Sequence, residues 1–327
     1  MIKNLLASQA TTPQKDIGEA FAPSNIALIK YWGKRNALLN LPMTSSLSIS
    51  LGDKGAHTRI QLTDASMHQV TLNGNIIGQS HTFHQRLSHF LNLLKPHAEQ
   101  FYRVDTTMNL PVAAGLASSA CGFAALVKAF SDLYAWDLPE PILSILCRMG
   151  SGSACRSLWQ GFVEWHRGER DDGLDSFAEP LPYAFPDLAI GLHILTTAEK
   201  PISSREAMNI TTQTSMLYES WPKQVEQDLS QLKHALTEQN FDLLGATAER
   251  NALSMHATML AASPSICYFL PETLAAMQTI WALRKEGLPI YFTEDAGPNL
   301  KILTLRPYMQ KINAHFPNLE WVHGLAT

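Results

Sequence analysis

Four short stretches, far apart in the chain, carry residue types that could do chemistry together. The first is Gly115-Leu116-Ala117-Ser118-Ser119-Ala120, followed by Phe123, Leu126, Val127 and Phe130 at helical spacing. Small residues at a helix start let an anion approach free backbone N–H groups, so this is a candidate phosphate seat. The second stretch is Lys30-Tyr31-Trp32-Gly33-Lys34-Arg35, where cations alternate with aromatic rings. The third runs Ser151-Gly152-Ser153-Ala154-Cys155-Arg156-Ser157, and the fourth is Glu294-Asp295-Ala296-Gly297-Pro298-Asn299. Between them they offer ammonium and guanidinium groups, hydroxyls and one carboxylate pair, the inventory of a site that binds anions and moves a proton.

Each stretch also has a plainer reading. The small residues of 115–120 fit a close packing contact as well as a phosphate seat. Ser151–Ser157 fits a helix-capping loop. Lys34 and Arg35 fit a solvated charge pair, and Asp, Gly, Pro and Asn are all turn formers.

The elements that must hold these stretches follow from periodicity. Ile26 and Leu28 suggest a buried strand ahead of Lys30. Leu47, Ile49 and Leu51 alternate with Ser46, Ser48 and Ser50, which is strand period. Further strands are expected over Thr58–Leu62, Gln69–Leu72 and Tyr102–Met108, with Asn73-Gly74 as a turn. Helices are expected over His84–Leu94, from the 115–120 loop onward, and over Pro141–Met149. Gly161–Trp165 reads as a strand. Leu188, Ile190, Leu192 and Ile194 alternate after the Pro-punctuated run Glu179–Pro186 and open a second domain. Helices then follow over Val225–Leu236, Phe241–Ala257 and Pro271–Glu286, and Ile290–Phe292 is a strand delivering Asp295. Strands early and mixed elements later predict an α+β fold. The expected organisation is a mobile leader over 1–19, an N-terminal domain over 20–186 and a C-terminal domain over 187–327.

Bulk properties narrow the partners. The chain has 327 residues and a formal net charge of −4. Nothing overall invites nucleic acid or an anionic membrane, so an anionic ligand must be held by a local cluster of cations. Hydrophobic residues make up 46%, ordinary for a globular protein, and no run reaches membrane-spanning length. The N-terminus lacks a signal-peptide core. Cys121, Cys147, Cys155 and Cys267 have no CxxC spacing, which predicts reduced thiols and a cytoplasmic location. There is no GxxxxGK[ST] loop, so the phosphate seat is not the common nucleotide P-loop.

Taken together, the motifs resemble the GHMP kinase superfamily and, within it, the diphosphomevalonate decarboxylase family. The matching strings are Ala22–Arg35, Thr44–Ser48, Asn109–Gly122, Gly150–Trp165, Ile202–Thr214, Met255-His256-Ala257 and Asp295–Asn299. The resemblance implies an N-terminal domain like the second domain of ribosomal protein S5, a C-terminal ferredoxin-like domain, and a site in the cleft between them. It implies ATP and Mg²⁺, a homodimer, and the conversion of (R)-5-diphosphomevalonate to isopentenyl diphosphate, ADP, phosphate and CO2. Asp295 would be the base, with Lys30 and Arg156 beside it and Arg156 on the substrate carboxylate. Tyr31, Trp32, Gly33, Lys34, Ser151, Gly152, Ser153, Ser204 and Arg205 would hold or line the diphosphate. Asn25, Gly115, Leu116, Ala117, Ser118 and Ser119 would face ATP, with Ser119 near the metal. Two other readings stand beside this one: a sister enzyme acting on mevalonate or its monophosphate, and a non-catalytic binding protein on the same fold. Glu294 departs from the family pattern, where an uncharged residue is expected. It either raises the local negative potential or points to solvent by strand alternation.

Overall fold

The computed structural model describes residues 1–110, 118–198 and 200–325. Among these, two sheets organise the chain. The first contains β1 (Gly18–Ile29), β4 (Ser46–Thr63), β5 (Gln69–Leu72), β6 (Asn75–Ile76), β7 (Phe101–Met108), β8 (Phe162–Trp165) and β9 (Ala178–Pro180), while β2 (Lys34–Asn36) and β3 (Leu41–Pro42) form a separate small pair. The second contains β10 (Leu188–His193), β11 (Ile290–Glu294), β12 (Leu300–Leu305) and β13 (Glu320–Trp321), in the order β11-β12-β10-β13. The α-helices among the described residues are α1 (Ile2–Leu5), α2 (Thr82–Leu94), α3 (Ser118–Tyr134), α4 (Glu140–Gly150), α5 (Ser204–Thr214), α6 (Trp221–Thr237), α7 (Phe241–Leu260), α8 (Pro271–Lys285) and α9 (Met309–Asn313). The fold is α+β, as expected.

β4 is the spine of the first sheet. The stretches 47–51 and 58–62, expected as separate strands, are one strand of 18 residues. β1 runs antiparallel to it from Gly18↔Ile60 to Ile29↔Leu47 and holds it together through the middle. The register shifts between Pro23 and Asn25, where proline has no N–H to give the ladder. The other edge of β4 is shared by β7 at one end and β8 at the other. In β7, Tyr102, Val104, Thr106 and Met108 are buried while Arg103 and Thr107 are exposed, the alternation of a sheet with one face on the core.

α3 lies directly on β1. A Cβ at Gly18 would sit 2.2 Å from the Ala129 carbonyl oxygen, so glycine permits this close approach. The segment that precedes Gly18 touches the same region: Gln14 donates its N–H to the Leu133 carbonyl, and Trp136 Nε1 donates to that of Ala10. Ile2 is buried in the core. Within residues 1–19, read from sequence as a mobile leader, Gln14 and Lys15 bond to Leu133 of α3, and Gly18 and Glu19 are the first two residues of β1.

α6 and α7 pack side by side, and Asn240 caps α7 by accepting the Leu243 N–H at 3.0 Å. α5 was not evident from periodicity. Its sequence SREAMNITTQT is polar and contains two adjacent β-branched threonines. The Ser203 hydroxyl accepts the Glu206 N–H and Met208 and Ala207 pack inward, so capping and tertiary contact hold it. The main apolar core is continuous between the halves: Ile26, Leu47 and Phe130 belong to the same cluster as Ile190, Trp221 and Met255. A second cluster fills the space between α8 and the second sheet, with Met277, Ile280, Phe292 and Ile302. Among the described residues no helix is long and apolar enough to cross a membrane.

Candidate active site

β1 and β11 end side by side, although one belongs to each sheet. Lys30 follows the last residue of β1, and Asp295 follows the last residue of β11. Lys30 Nζ lies 2.8 Å from Asp295 Oδ1 and also donates to the Ala27 carbonyl at 2.7 Å. Lys301, on β12, brings its Nζ within 3.2 Å of the other carboxylate oxygen. Both lysines are 1% exposed, whereas the Asp295 side chain is 25% exposed and opens into a cavity of about 560 Å³. Burial alone would push the Asp295 carboxyl up. The charges and hydrogen bonds of Lys30 and Lys301 outweigh it and hold that carboxyl well below the usual carboxylate range.

The cavity walls come from both halves. α2 supplies Thr82 and Arg86, the start of α3 supplies Ser118 and Ser119, and the turn after α4 supplies Ser151, Gly152, Ser153 and Arg156. Lys200 and the start of α5, with Ser203, Ser204 and Arg205, close the other side. Among the described lining residues there are six cations, Lys30, Lys34, Arg86, Arg156, Lys200 and Arg205, and one carboxylate, Asp295. A chain of net charge −4 thus concentrates positive charge where it lines a concavity, which draws in anions.

Several of these cations are held by neutral partners, leaving charge for a ligand. Lys34 Nζ donates to Asn40 Oδ1 at 2.7 Å. Burial, with Arg205 and Arg86 nearby, pulls Lys34 down to about 8. Arg156 is buried, donates to the Ser46 hydroxyl and lies over the Trp165 ring, and its Nε has no hydrogen-bond partner among the described residues. Lys200 Nζ donates to Ser204 Oγ and to the Ala296 carbonyl, both at 2.8 Å.

The remaining expected residues are placed as follows. Asn25 is on the cavity wall and donates to Ser157 Oγ at 2.7 Å. Tyr31 lies on the wall with its hydroxyl buried and unpartnered among the described residues, and it packs on Gly152, where a Cβ would meet that hydroxyl at 2.8 Å. Trp32 also borders the cavity, while its carbonyl accepts from Tyr218 Oη and Trp221 Nε1, each at 3.0 Å. Gly33 is not among the lining residues. It has φ +109°, and a Cβ there would lie 1.7 Å from the Tyr218 hydroxyl, so its glycine serves the turn behind the wall. Gly115, Leu116 and Ala117 fall outside the described residues.

Glu294 does not point to solvent. Its side chain is fully buried, with both oxygens lacking hydrogen-bond partners among the described residues. Strand alternation does not expose it because the second sheet is covered on both faces at this end.

Lys200, Lys301, Arg86 and Thr82 were not singled out from sequence. Lys301 had a signal, a single charge inside the apolar strand Leu300–Leu305, since a lysine buried in a strand needs a partner. Arg86 on an amphipathic helix looks like any solvated cation.

A metal fits this donor set in one way. Among the described residues no three His, Cys, Asp or Glu side chains are grouped so as to hold a metal ion. The serine hydroxyls at the start of α3 suit an ion such as Mg²⁺, which arrives on phosphate oxygens and keeps several waters.

A long-stranded sheet and a smaller antiparallel sheet, closing on a cation-rich cleft with a helix start in its wall, define an ATP-dependent small-molecule enzyme of the GHMP kinase class. Residues 22–178 match the family model for the diphosphomevalonate decarboxylase-like N-terminal domain, and residues 190–320 match that for the mevalonate 5-diphosphate decarboxylase C-terminal domain. The chain belongs to the diphosphomevalonate decarboxylase family. It is 36% identical to diphosphomevalonate decarboxylase mvd1 of Aspergillus fumigatus, covering 87% of this chain and 76% of that one. The structure of the mevalonate diphosphate decarboxylase from Enterococcus faecalis is similar with a TM-score of 0.86 at 39% identity, over 93% of this chain and 95% of that one. A structure of MDDEF in complex with MVAPP, AMPPCP and magnesium gives a TM-score of 0.87 at 40% identity, over the same shares.

Proposed function

We propose that the chain catalyses the ATP-dependent decarboxylation of (R)-5-diphosphomevalonate to isopentenyl diphosphate, ADP, phosphate and CO2. The observation that carries this reading is the Asp295 carboxylate, clamped by Lys30 and Lys301 and open on one edge to a cleft otherwise walled by cations.

A substrate bearing a carboxylate and a diphosphate, next to a triphosphate, crowds negative charge that several cations must balance. Arg156 is assigned to the substrate carboxylate, which a guanidinium can grip through two N–H groups. Lys34, Tyr31, Ser151, Gly152, Ser153, Ser204 and Arg205 are assigned to the diphosphate, with Trp32 bordering it. Asn25, Ser118 and Ser119 are assigned to ATP, and Arg86 and Lys200 add cations to the same cleft. Ser119, with the nucleotide phosphates, would hold Mg²⁺, and the bound ion would supply charge neutralisation for phosphoryl transfer.

Asp295 is ionised across the working pH range, so it is a weak base toward a free tertiary alcohol. The 3-hydroxyl becomes acidic only as its oxygen bonds to the γ-phosphorus, and its proton passes to Asp295 as that bond forms. Lys30 orients the carboxylate and faces the same oxygen. In the second stage the C–O bond to phosphate breaks, and phosphate leaves with the bonding pair. The bond to the carboxylate carbon then supplies the electrons of the new C=C bond as CO2 departs. Positive charge builds on the tertiary carbon, so no carbanion-stabilising cofactor is required.

The finer expectations belong to the same reading: domains over 20–186 and 187–327, a homodimer, and a cytoplasmic location. The last is supported by four free cysteines, three of them buried. The test is an assay of ADP, phosphate and CO2 release with mevalonate, its monophosphate and its diphosphate. Release of all three products with the diphosphate alone supports the proposal. ADP without CO2, or turnover of the monophosphate instead, would replace it with a sister activity.

A further inference from the structure

Glu294 is a buried ionisable group that the mechanism above does not use. It ends β11 next to Asp295, its side chain is fully buried, and neither carboxyl oxygen has a hydrogen-bond partner among the described residues. His256 Nε2 lies 3.6 Å from Oε1. That nitrogen already faces the Asp295 carbonyl at 3.1 Å, an acceptor, so it carries the hydrogen. His256 cannot supply a counter-charge, because burial pulls it down to about 3. Phe269 stacks on its ring, and Tyr268 meets it edge-on with a hydroxyl pushed up to about 12.

The other charges around this point come from every neighbouring element. Lys30 lies at the end of β1 and Lys301 on β12, and both are engaged by Asp295. On α7, Glu249 is paired with Arg284 of α8 and accepts the Phe292 N–H, two residues back along β11. Of the two neighbouring carboxyl groups, it is Asp295 that both ammonium groups contact, and neither reaches Glu294 within ion-pair distance. A carboxylate buried without a hydrogen bond or direct ion pair is strongly disfavoured, and it takes up a proton instead. Burial pushes Glu294 up to about 8, against the pull of Lys30 and Lys301.

We propose that Glu294 stands behind Asp295 as a neutral carboxylic acid and is a positioning residue for it: while protonated it leaves both lysines to Asp295, and its ionisation removes one net positive charge from the back of the cleft. With Glu294 neutral, the group Lys30, Lys301, Asp295 and Glu294 carries one net positive charge; with Glu294 ionised it carries none. Anionic ligands are held more weakly in the second state. This deepens the decarboxylase reading and rests on it for its kinetic consequence, whereas the proton on Glu294 does not depend on the reaction.

The experiment uses the full chain and the variant Glu294→Gln, which keeps the shape and removes the titration. Difference infrared spectroscopy, taken from neutral to mildly alkaline pH, should show a protonated-carboxyl C=O band in the wild type that fades near pH 8 and is missing from E294Q. Calorimetric affinity for inorganic diphosphate should fall with pH in both proteins, because Lys34 also loses charge there, and should fall several-fold further in the wild type. A wild type without that band at neutral pH, or superimposable affinity curves for the two proteins, overturns the proposal. If band and affinity behave as expected while no CO2 is released from any mevalonate derivative, the role of Glu294 stands and the assigned reaction falls.

Discussion

The side-chain carbonyl of Asn251 accepts the backbone N–H of Lys30 at 2.8 Å, joining α7 to the end of β1 at the point where Lys30 leaves the sheet. Asn251 is itself oriented by Asp228, which accepts its Nδ2 at 2.9 Å and is fully buried beneath Arg250. Asn251→Ala removes the acceptor and leaves two buried polar groups unpaired, a cost of about 1–3 kcal/mol each in the unrelaxed case. We expect a lower melting temperature and a loss in kcat that exceeds the change in KM, because Lys30 then has several backbone placements. Steady-state kinetics with thermal denaturation of the same preparations checks both.

Asp295→Asn should abolish CO2 release while nucleotide still binds, since the amide cannot accept the hydroxyl proton. It also removes the charge that Asp295 presents to Lys30 and Lys301, and breaking a buried ion pair by removing one partner costs about 3–5 kcal/mol. Calorimetric nucleotide binding and product release separate the two effects. Near-full turnover would make Asp295 a turn residue.

Arg156→Gln should reduce kcat/KM for the diphosphate by orders of magnitude and change ATP affinity little. The guanidinium is buried beside Trp165 and Ser46, and Arg156 lines the cleft. Equal losses of substrate turnover and nucleotide affinity would contradict its assignment to the substrate carboxylate.

Gly33→Ala places a methyl group 1.7 Å from the Tyr218 hydroxyl and forces φ +109° on alanine. We expect a strongly destabilised protein. Tyr218→Phe deletes the clashing oxygen but leaves the backbone strain, so the double variant should recover part of the lost stability, a coupling read from a double-mutant cycle of unfolding free energies.

Glu294 gives stability a pH dependence of known sign. Its carboxyl is raised in the folded chain from 4.5 to about 8, so between those values the folded state holds more protons than the unfolded one. Stability then falls as pH rises through this window, by at most about 1.4 kcal/mol per pH unit. Glu294→Gln lacks that slope, and its melting temperature should overtake that of the wild type by a margin that widens from mildly acidic to mildly alkaline pH. Parallel melting curves across the window would refute this.

The sequence by itself determined a good deal. The alternation of serines with Leu47, Ile49 and Leu51 and the helical repeat through Phe123 and Phe130 predicted an α+β fold, and the resemblance carried by the four separated motifs pointed to this family and to Lys30, Arg156 and Asp295 as its candidate site residues. These signals are local: each arises from a period or a spacing within one element. Only the tertiary structure decided that Lys301 and Lys200 join the same cleft, that two expected strands are one, and that α5 is a helix held by its cap and its packing. It also decided the charge of each group. The distance from Lys30 to Asp295 spans 265 residues of chain, and the proton affinities of Asp295 and Glu294 depend on burial and on separations of a few ångströms between different elements. Adjacent in sequence and alike in chemistry, the two carboxyls are driven to opposite protonation states because Lys30 and Lys301 contact Asp295 while, among the described residues, no ammonium group contacts Glu294.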